Sequence, residues 1–126
     1  PVFYTTETKL LARIRATFNR SKEDDERETE TEEAIYGQLL RYRVLIIDDI
    51  GKVRPKDYSF LQGVYFRIID ERYSGDQNTL VLTTNLSLTE LEEHIGGACA
   101  DRLREMCGKN FIVMKGQSYR PKIKGG

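Results

Sequence analysis

Short apolar runs predict the strands of this chain. Residues 44–47 are a continuous run rich in β-branched side chains, and Thr79–Thr84 is a second one. Such runs are typical of strands buried on both faces of a parallel sheet. Val2–Thr6 and residues 110–114 predict the first and last strands. The chain therefore carries at least four predicted strands, spread along its length.

Between these strands, apolar residues recur at the three- and four-residue spacing of amphipathic helices. One stripe is Leu10, Leu11, Ile14 and Phe18, and another is Tyr58, Leu61, Val64, Tyr65, Ile68 and Ile69. A helix is expected to begin near Glu32, and a further helix spans residues 99–106. Ser87 and Glu90 form a capping box for a helix whose apolar side is Leu88, Leu91 and Ile95. Strands and helices alternate, which indicates an α/β fold with a mostly parallel sheet and right-handed crossovers.

The length predicts one domain, and the charged residues are distributed unevenly along the sequence. The chain has 126 residues and equal numbers of basic and acidic residues, 20 of each. A zero net charge excludes a uniformly basic nucleic-acid binder. Residues 21–33 hold eight acids and two bases, a net charge of −6, whereas no acid follows Glu105. Any contact with nucleic acid must therefore be local.

Several classes of protein are excluded by what the sequence lacks. No run approaches the roughly 18 apolar residues of a membrane span, and no basic segment followed by an apolar one marks a signal peptide. The two cysteines, Cys99 and Cys107, can form one disulfide, but they fit reduced thiols in a cytoplasmic protein better. His94 is the single histidine, which excludes a Cys/His zinc site and a Ser-His-Asp triad.

Two adjacent carboxylates follow the apolar run at residues 44–47. Asp48 and Asp49 lie where an open parallel sheet collects ligands, beyond the carboxyl end of a strand. One carboxylate can hold Mg²⁺, and the next can deprotonate an attacking water. Asn85 follows the next strand, and it can bind a phosphate or a water if the two strands are neighbours. The alternatives are a solvated loop at Asp48 and a helix-capping role for Asn85.

Four motifs together resemble one family. Leu45-Ile46-Ile47-Asp48-Asp49-Ile50-Gly51 resembles the Walker B motif of the DnaC/DnaI/IstB branch of AAA+ ATPases, and Thr83-Thr84-Asn85-Leu86 resembles its sensor 1. Ala100-Asp101-Arg102-Leu103 resembles its arginine-finger segment, and Gly116-Gln117-Ser118-Tyr119-Arg120 resembles the end of its last strand. The resemblance covers nearly the whole chain and implies a three-layer αβα P-loop NTPase core.

The resemblance also implies roles for individual residues. Asp48 is expected to coordinate Mg²⁺ on ATP, and Asp49 takes the catalytic-base position. Asn85 is expected to sense the γ-phosphate and to position water. Arg102 is expected to reach the nucleotide of a neighbouring subunit, or else to form a salt bridge with Glu105 or Asp101 on its own helix. Arg120 either approaches the phosphates or has a structural role.

One family element is not found in this sequence. No segment matches the P-loop pattern Gly-x-x-x-x-Gly-Lys-Ser/Thr. Residues 1–126 are therefore interpreted as one partial AAA+ domain, which runs from the strand after the P-loop helix to a basic tail. We expect ATPase activity of the intact protein and none of this chain by itself.

The resemblance implies a bacterial or phage helicase loader that hydrolyses ATP, forms a homo-oligomer, and binds a replicative helicase and single-stranded DNA. The basic residues proposed for DNA contact are Arg13, Arg15, Arg20, Lys52, Arg54 and Lys56, which can equally be scattered surface charges. An IstB-like helper ATPase of transposition and a non-catalytic interaction module are alternatives. A phosphoacceptor receiver domain is disfavoured, because it needs a separate acceptor Asp at a strand end.

Overall fold

The structure is a computed structural model, and it describes residues 1–18, 30–74 and 79–108. These residues form β1 (Val2–Thr6), α1 (Glu7–Arg15), α2 (Glu32–Arg41), β2 (Val44–Ile50), α3 (Ser59–Tyr73), β3 (Thr79–Thr84), α4 (Leu88–Ile95) and α5 (Gly97–Cys107). Each element agrees with a predicted one. The predicted last strand, residues 110–114, lies outside the described residues. Within the described parts of the chain, no helix has the length and apolar character needed to cross a membrane.

The three described strands form one parallel sheet in the order β1-β2-β3. Val2 pairs with Val44 and Thr6 pairs with Asp48, while Val44 pairs with Thr79 on the other side. All three strands therefore end at the same edge of the sheet. This arrangement confirms the α/β fold with parallel strands.

The helices cover one face of this sheet. Leu45 and Ile47 of β2 are fully buried, and they belong to a single core cluster with buried side chains from all five described helices. On the opposite face, Val2 is 57 % exposed, Tyr4 56 % and Val81 39 %. The expectation of burial on both faces is therefore wrong for Thr79–Thr84, whereas Val44 and Ile46 of β2 are partly buried on this face. Of the three layers that the resemblance implies, these residues form two: the sheet and one helical layer.

Polar side chains cap the N-termini of three helices. Thr6, Thr31 and Ser87 each accept a hydrogen bond from a backbone N–H in the first turn of α1, α2 and α4. The predicted capping box of Ser87 and Glu90 is confirmed in both directions. Such caps satisfy N–H groups that a helix leaves without partners. They fix where α1 and α4 start, directly after the strand ends that carry the candidate site.

Two residues of the predicted apolar stripes are exposed. Phe18 lies beyond the end of α1 and is 54 % exposed, with its ring edge against Phe60 at 5.5 Å between centroids. Leu88 is the first residue of α4 and is 50 % exposed, whereas Leu91 and Ile95 are buried as predicted. Both residues lie at helix ends, where the spacing of an apolar stripe no longer determines which side chains are buried.

Arg72 closes the opposite end of the sheet from Asp48. Its guanidinium is buried and donates to the backbone carbonyls of Leu39, Tyr42, Arg43 and Thr79 at 2.9–3.1 Å. Burial lowers the pKa of Arg72 below its ordinary value. This side chain therefore ties α3 to the residues that lead into β2 and to the start of β3.

Candidate active site

The carboxylate of Asp48 is held by hydroxyl groups from both neighbouring strands. The Tyr4 hydroxyl of β1 donates to Oδ2 at 2.6 Å, and the Thr83 hydroxyl of β3 donates to Oδ1. The bond from Thr83, followed by the bond from Tyr4, holds the pKa of Asp48 below its ordinary value. Donors favour the charged form of a carboxylate. Each oxygen still has a free lone pair, so the group remains able to bind a cation.

Asp49 lies at a kink in the same strand. Its φ of 59° is in the left-handed region, which aspartate adopts more readily than most residues. The register between β2 and β3 shifts between Ile47 and Ile50, as in a β-bulge. The Asp49 amide donates to the Thr83 hydroxyl at 3.1 Å, and the Asp49 side chain is exposed. Thr83 thus contacts both aspartates, and the bulge presents the second carboxylate to solvent.

Asn85 lies at the same edge of the sheet, as the sequence predicted. Thr84 pairs with Ile50, and its hydroxyl donates to the Ile50 carbonyl at 2.6 Å and accepts from the Leu86 amide at 3.0 Å. Asn85 directly follows this residue and is exposed. The strands are neighbours, so the condition set for Asn85 to lie near Asp48 and Asp49 is met.

The turn after β2 packs closely against the residues that follow β3. Gly51 has a φ of 83°, and a methyl group at its Cβ position would overlap the side chain of Leu86. Its amide donates to Oε1 of Glu7 at 3.2 Å. Only glycine satisfies both the backbone angle and this close approach.

The donor set of this edge suits a hard cation shared with a substrate. Asp48 and Asp49 offer carboxylate oxygens, the ligand type that Mg²⁺ prefers. Within residues 1–18, 30–74 and 79–108, no three His, Cys, Asp or Glu side chains cluster as a metal cage. Mg²⁺ commonly binds through one or two carboxylates together with substrate phosphates. The two aspartates therefore fit Mg²⁺ bound to a nucleotide.

Arg102 lies far from Asp48 within the chain. Its Nη1 is 3.3 Å from Oδ1 of Asp70, and its guanidinium lies 4.7 Å above the ring of Tyr73. Both partners belong to the last turns of α3, at the end of the sheet that Arg72 closes. The ion pair is made with α3 and not with the expected Glu105 or Asp101, and Glu105 instead accepts from the Tyr73 hydroxyl at 2.7 Å.

The basic residues proposed for DNA contact have different surroundings. Arg13 Nε donates to Glu30 at 2.9 Å, Arg54 donates to Glu90 at 3.2 Å, and Lys52 is exposed near Asp48. Among those that the structure describes, Arg15 and Lys56 line one groove of about 530 Å³ between α1 and the start of α3. Arg20 and Arg120 lie outside the described residues.

The groove that holds Arg15 and Lys56 also has an apolar lining, namely Leu11, Val53 and Phe60. The Arg15 guanidinium lies 4.8 Å above the Phe60 ring. Two cations beside an aromatic ring are the elements that non-specific binders of single-stranded nucleic acid use. The same groove is also lined by two carboxylates, the buried Glu7 and the exposed Asp57.

Sequence reasoning missed several residues of the site. It placed Tyr4 in a strand without a further role, and it gave Thr83 no role beside Asn85. The register of the parallel strands could have identified both residues, because Tyr4, Asp48 and Thr83 lie on the same face of the sheet near the carboxyl ends of the strands. Glu7 and His94 were also missed, although each is a polar residue on an apolar helix stripe: Glu7 with Leu10 and Ile14, and His94 with Leu91 and Ile95.

Comparison with known proteins identifies a family that the sequence matches. The family model described as "IstB-like ATP binding protein" matches residues 1–125. None of the curated proteins compared with the chain matches it. A solved structure, described as "Crystal structure of the DnaC helicase loader", superposes with a TM-score of 0.59 at 20 % identity, covering 82 % of this chain and 56 % of that one. The chain thus spans little more than half the length of that loader.

Proposed function

Because this chain belongs to the family of IstB-like ATP binding proteins, we propose that it carries the hydrolytic half of an ATPase site. The observation that supports this most directly is the arrangement at the carboxyl end of β2. There a doubly hydrogen-bonded Asp48, an exposed Asp49 and an exposed Asn85 share one edge of the sheet. The likeness to DnaC supports the fold in which these residues are set.

In this proposal, the residues divide the work of phosphoryl transfer. Asp48 holds Mg²⁺ on ATP, and this cation neutralises charge on the phosphates when it is bound. Asp49 accepts the proton of the attacking water, because its exposed carboxylate projects from the bulge beside Asp48. Asn85 orients that water or contacts the terminal phosphate through its amide. Thr83 keeps Asp48 and Asp49 in register through its two hydrogen bonds.

Arg102 is proposed to act between subunits of a homo-oligomer. Within its own chain, it lies at the other end of α3 from the candidate site, beside Asp70 and Tyr73. An arginine that stabilises the transition state must reach the phosphates, so Arg102 can do so only at the site of a neighbour. Its side chain is 40 % exposed, which leaves the guanidinium accessible to another subunit.

We further propose that the full-length protein loads a replicative helicase onto single-stranded DNA. The superposed structure is that of a helicase loader, and the groove of Arg15 and Lys56 offers a local site for a nucleic-acid strand. The family description favours a second candidate, an IstB-like ATPase that assists a transposase. If the full-length protein has no ATPase activity, the remaining alternative is a non-catalytic interaction module.

Steady-state ATP hydrolysis by the full-length protein, with and without Mg²⁺ and single-stranded DNA, tests the proposal. We expect Mg²⁺-dependent turnover and an increase on assembly. Binding to a purified replicative helicase and to a purified transposase then separates the two candidates. Absence of Mg²⁺-dependent hydrolysis under conditions where the protein is folded would contradict the ATPase proposal.

A further inference from the structure

A buried polar cluster lies beneath the candidate site and has no part in the proposed chemistry. Glu7 is 2 % exposed, Tyr65 1 % and His94 3 %. The Tyr65 hydroxyl lies 2.5 Å from Oε2 of Glu7, and His94 Nε2 lies 3.0–3.1 Å from both Glu7 oxygens. Together with the Gly51 amide, these groups give the Glu7 carboxylate three partners.

The cluster joins three helices and the turn after β2 at one point. Glu7 belongs to the first turn of α1, Tyr65 to α3 and His94 to α4, while Gly51 directly follows β2. The ring of Tyr58 packs edge-on against His94 at 5.5 Å between centroids. Burying a carboxylate is costly unless its oxygens are hydrogen-bonded. Replacing hydrogen-bonded partners together by apolar groups of the same shape can be nearly neutral or stabilising, so the polar cluster calls for a reason beyond packing.

The partners of Glu7 supply that reason. Gly51 lies two residues after Asp49, and its close approach to Leu86 joins it to the segment that contains Asn85. His94 belongs to α4, the helix that this segment leads into. One carboxylate thus holds both the turn after the two aspartates and the helix after Asn85.

We propose that Glu7 is a positioning residue that fixes the Asp49–Gly51 turn relative to the Asn85–Leu86 segment. This inference rests on the proposed ATPase function for its catalytic consequence, but the coupling itself is a property of the fold. Displacements of about 1 Å in a positioned group can cost roughly a hundredfold in rate. Glu7 therefore contributes to turnover without touching substrate.

The variant Glu7→Gln is the sharpest test, because it keeps the shape of the side chain but removes the negative charge and replaces one acceptor oxygen by an NH₂ group. Tyr65→Phe is the second variant; it removes one donor and leaves no buried polar group unpaired. Arg72→Lys is the matched control, because Arg72 is also buried and hydrogen-bonded between elements, but at the opposite end of the sheet.

Two readouts are measured on the full-length protein. Amide hydrogen exchange at Gly51 and Leu86, relative to the core amide of Leu45, reports the coupling. We expect both amides to exchange faster in Glu7→Gln and, to a smaller extent, in Tyr65→Phe, and neither to change in Arg72→Lys. The turnover number is expected to fall at least about tenfold in Glu7→Gln with the Kd for ATP nearly unchanged, as for a misplaced catalytic group.

The outcomes separate this inference from the ATPase proposal. If the wild-type protein does not hydrolyse ATP, the proposed function fails, and the exchange comparison still decides the coupling. Exchange at Leu86 that stays at the wild-type rate while Gly51 accelerates would overturn the inference. So would a wild-type turnover number in folded Glu7→Gln, or equal acceleration of both amides in Arg72→Lys.

Discussion

The hydroxyl of Tyr4 lies 2.6 Å from Oδ2 of Asp48, and it reaches that carboxylate from the neighbouring strand. Tyr4 is 56 % exposed, so its ring is not held in place by burial on all sides. The bond raises the pKa of the Tyr4 hydroxyl and, with the bond from Thr83, lowers the pKa of Asp48. The carboxylate at the end of β2 is therefore kept ionised and oriented before any ligand arrives.

Tyr4→Phe is expected to raise the pKa of Asp48 toward the ordinary aspartate value of about 3.9. The folded-state pKa of Asp48 lies below its unfolded-state pKa. Ionised Asp48 therefore stabilises the fold at pH values above the unfolded-state pKa, and this stabilisation is lost as the pH falls through the folded-state pKa. Carbon-detected NMR titration of the Asp48 carboxyl measures the shift. Tyr73→Phe is the control, since it removes a similar hydroxyl–carboxylate bond at Glu105. An Asp48 pKa that is the same in wild type and Tyr4→Phe would contradict the prediction.

Thr83→Val is expected to impair hydrolysis more than Tyr4→Phe. The valine substitution removes both the hydroxyl that donates to Oδ1 of Asp48 and the oxygen that accepts from the Asp49 amide. We expect the Mg²⁺ concentration for half-maximal turnover to rise and the turnover number to fall by roughly tenfold or more, as for a displaced catalytic group. Thr83→Ser retains the hydroxyl and is expected to restore activity. Equal activity in the Val and Ser variants would show that the hydroxyl has no such role.

Arg102→Ala is expected to leave folding nearly unchanged. The Asp70 pair is partly exposed, and such a pair and one cation–π contact each contribute about 1 kcal/mol or less. ATP turnover should be lost only in the assembled oligomer, with nucleotide binding retained. Asp70→Asn breaks the same ion pair while it keeps the arginine, and it should remain active. Mixing Arg102→Ala with Asp49→Asn subunits should restore some turnover; failure to do so would argue against action between subunits.

Replacing Arg15 and Lys56 together by Gln is expected to weaken single-stranded DNA binding. These two cations share the groove beside Phe60, whereas Arg13 and Arg54 already contact Glu30 and Glu90. For single strands, each lost phosphate contact makes the slope of log K against log salt less negative by about 0.7. Affinity measured over a range of salt concentrations tests this, with the Arg13/Arg54 double Gln variant as control. A larger loss in the control than in the groove variant would place the DNA elsewhere.

The sequence sufficed for the order and type of the described elements because apolar spacing and capping residues are local signals. Ser87 with Glu90 and the run at residues 44–47 are examples. It did not predict that Val81 is exposed, since burial of a strand face depends on what covers it. It did identify Asp48, Asp49 and Asn85 at strand ends. The contacts of Tyr4 and Glu7 were not foreseen, because they depend on strand register and on residues that are distant in sequence.

ATP hydrolysis by Asp49→Asn in the full-length protein, compared with wild type at saturating ATP and Mg²⁺, tests the central claim most directly. The amide cannot accept the proton of the attacking water, so turnover should fall to background while the Kd for ATP stays within a few-fold of wild type. Asp57→Asn, an exposed aspartate beyond the turn after β2, is the control and should hydrolyse ATP normally. Wild-type turnover in Asp49→Asn would contradict the assignment of this strand end as the hydrolytic site.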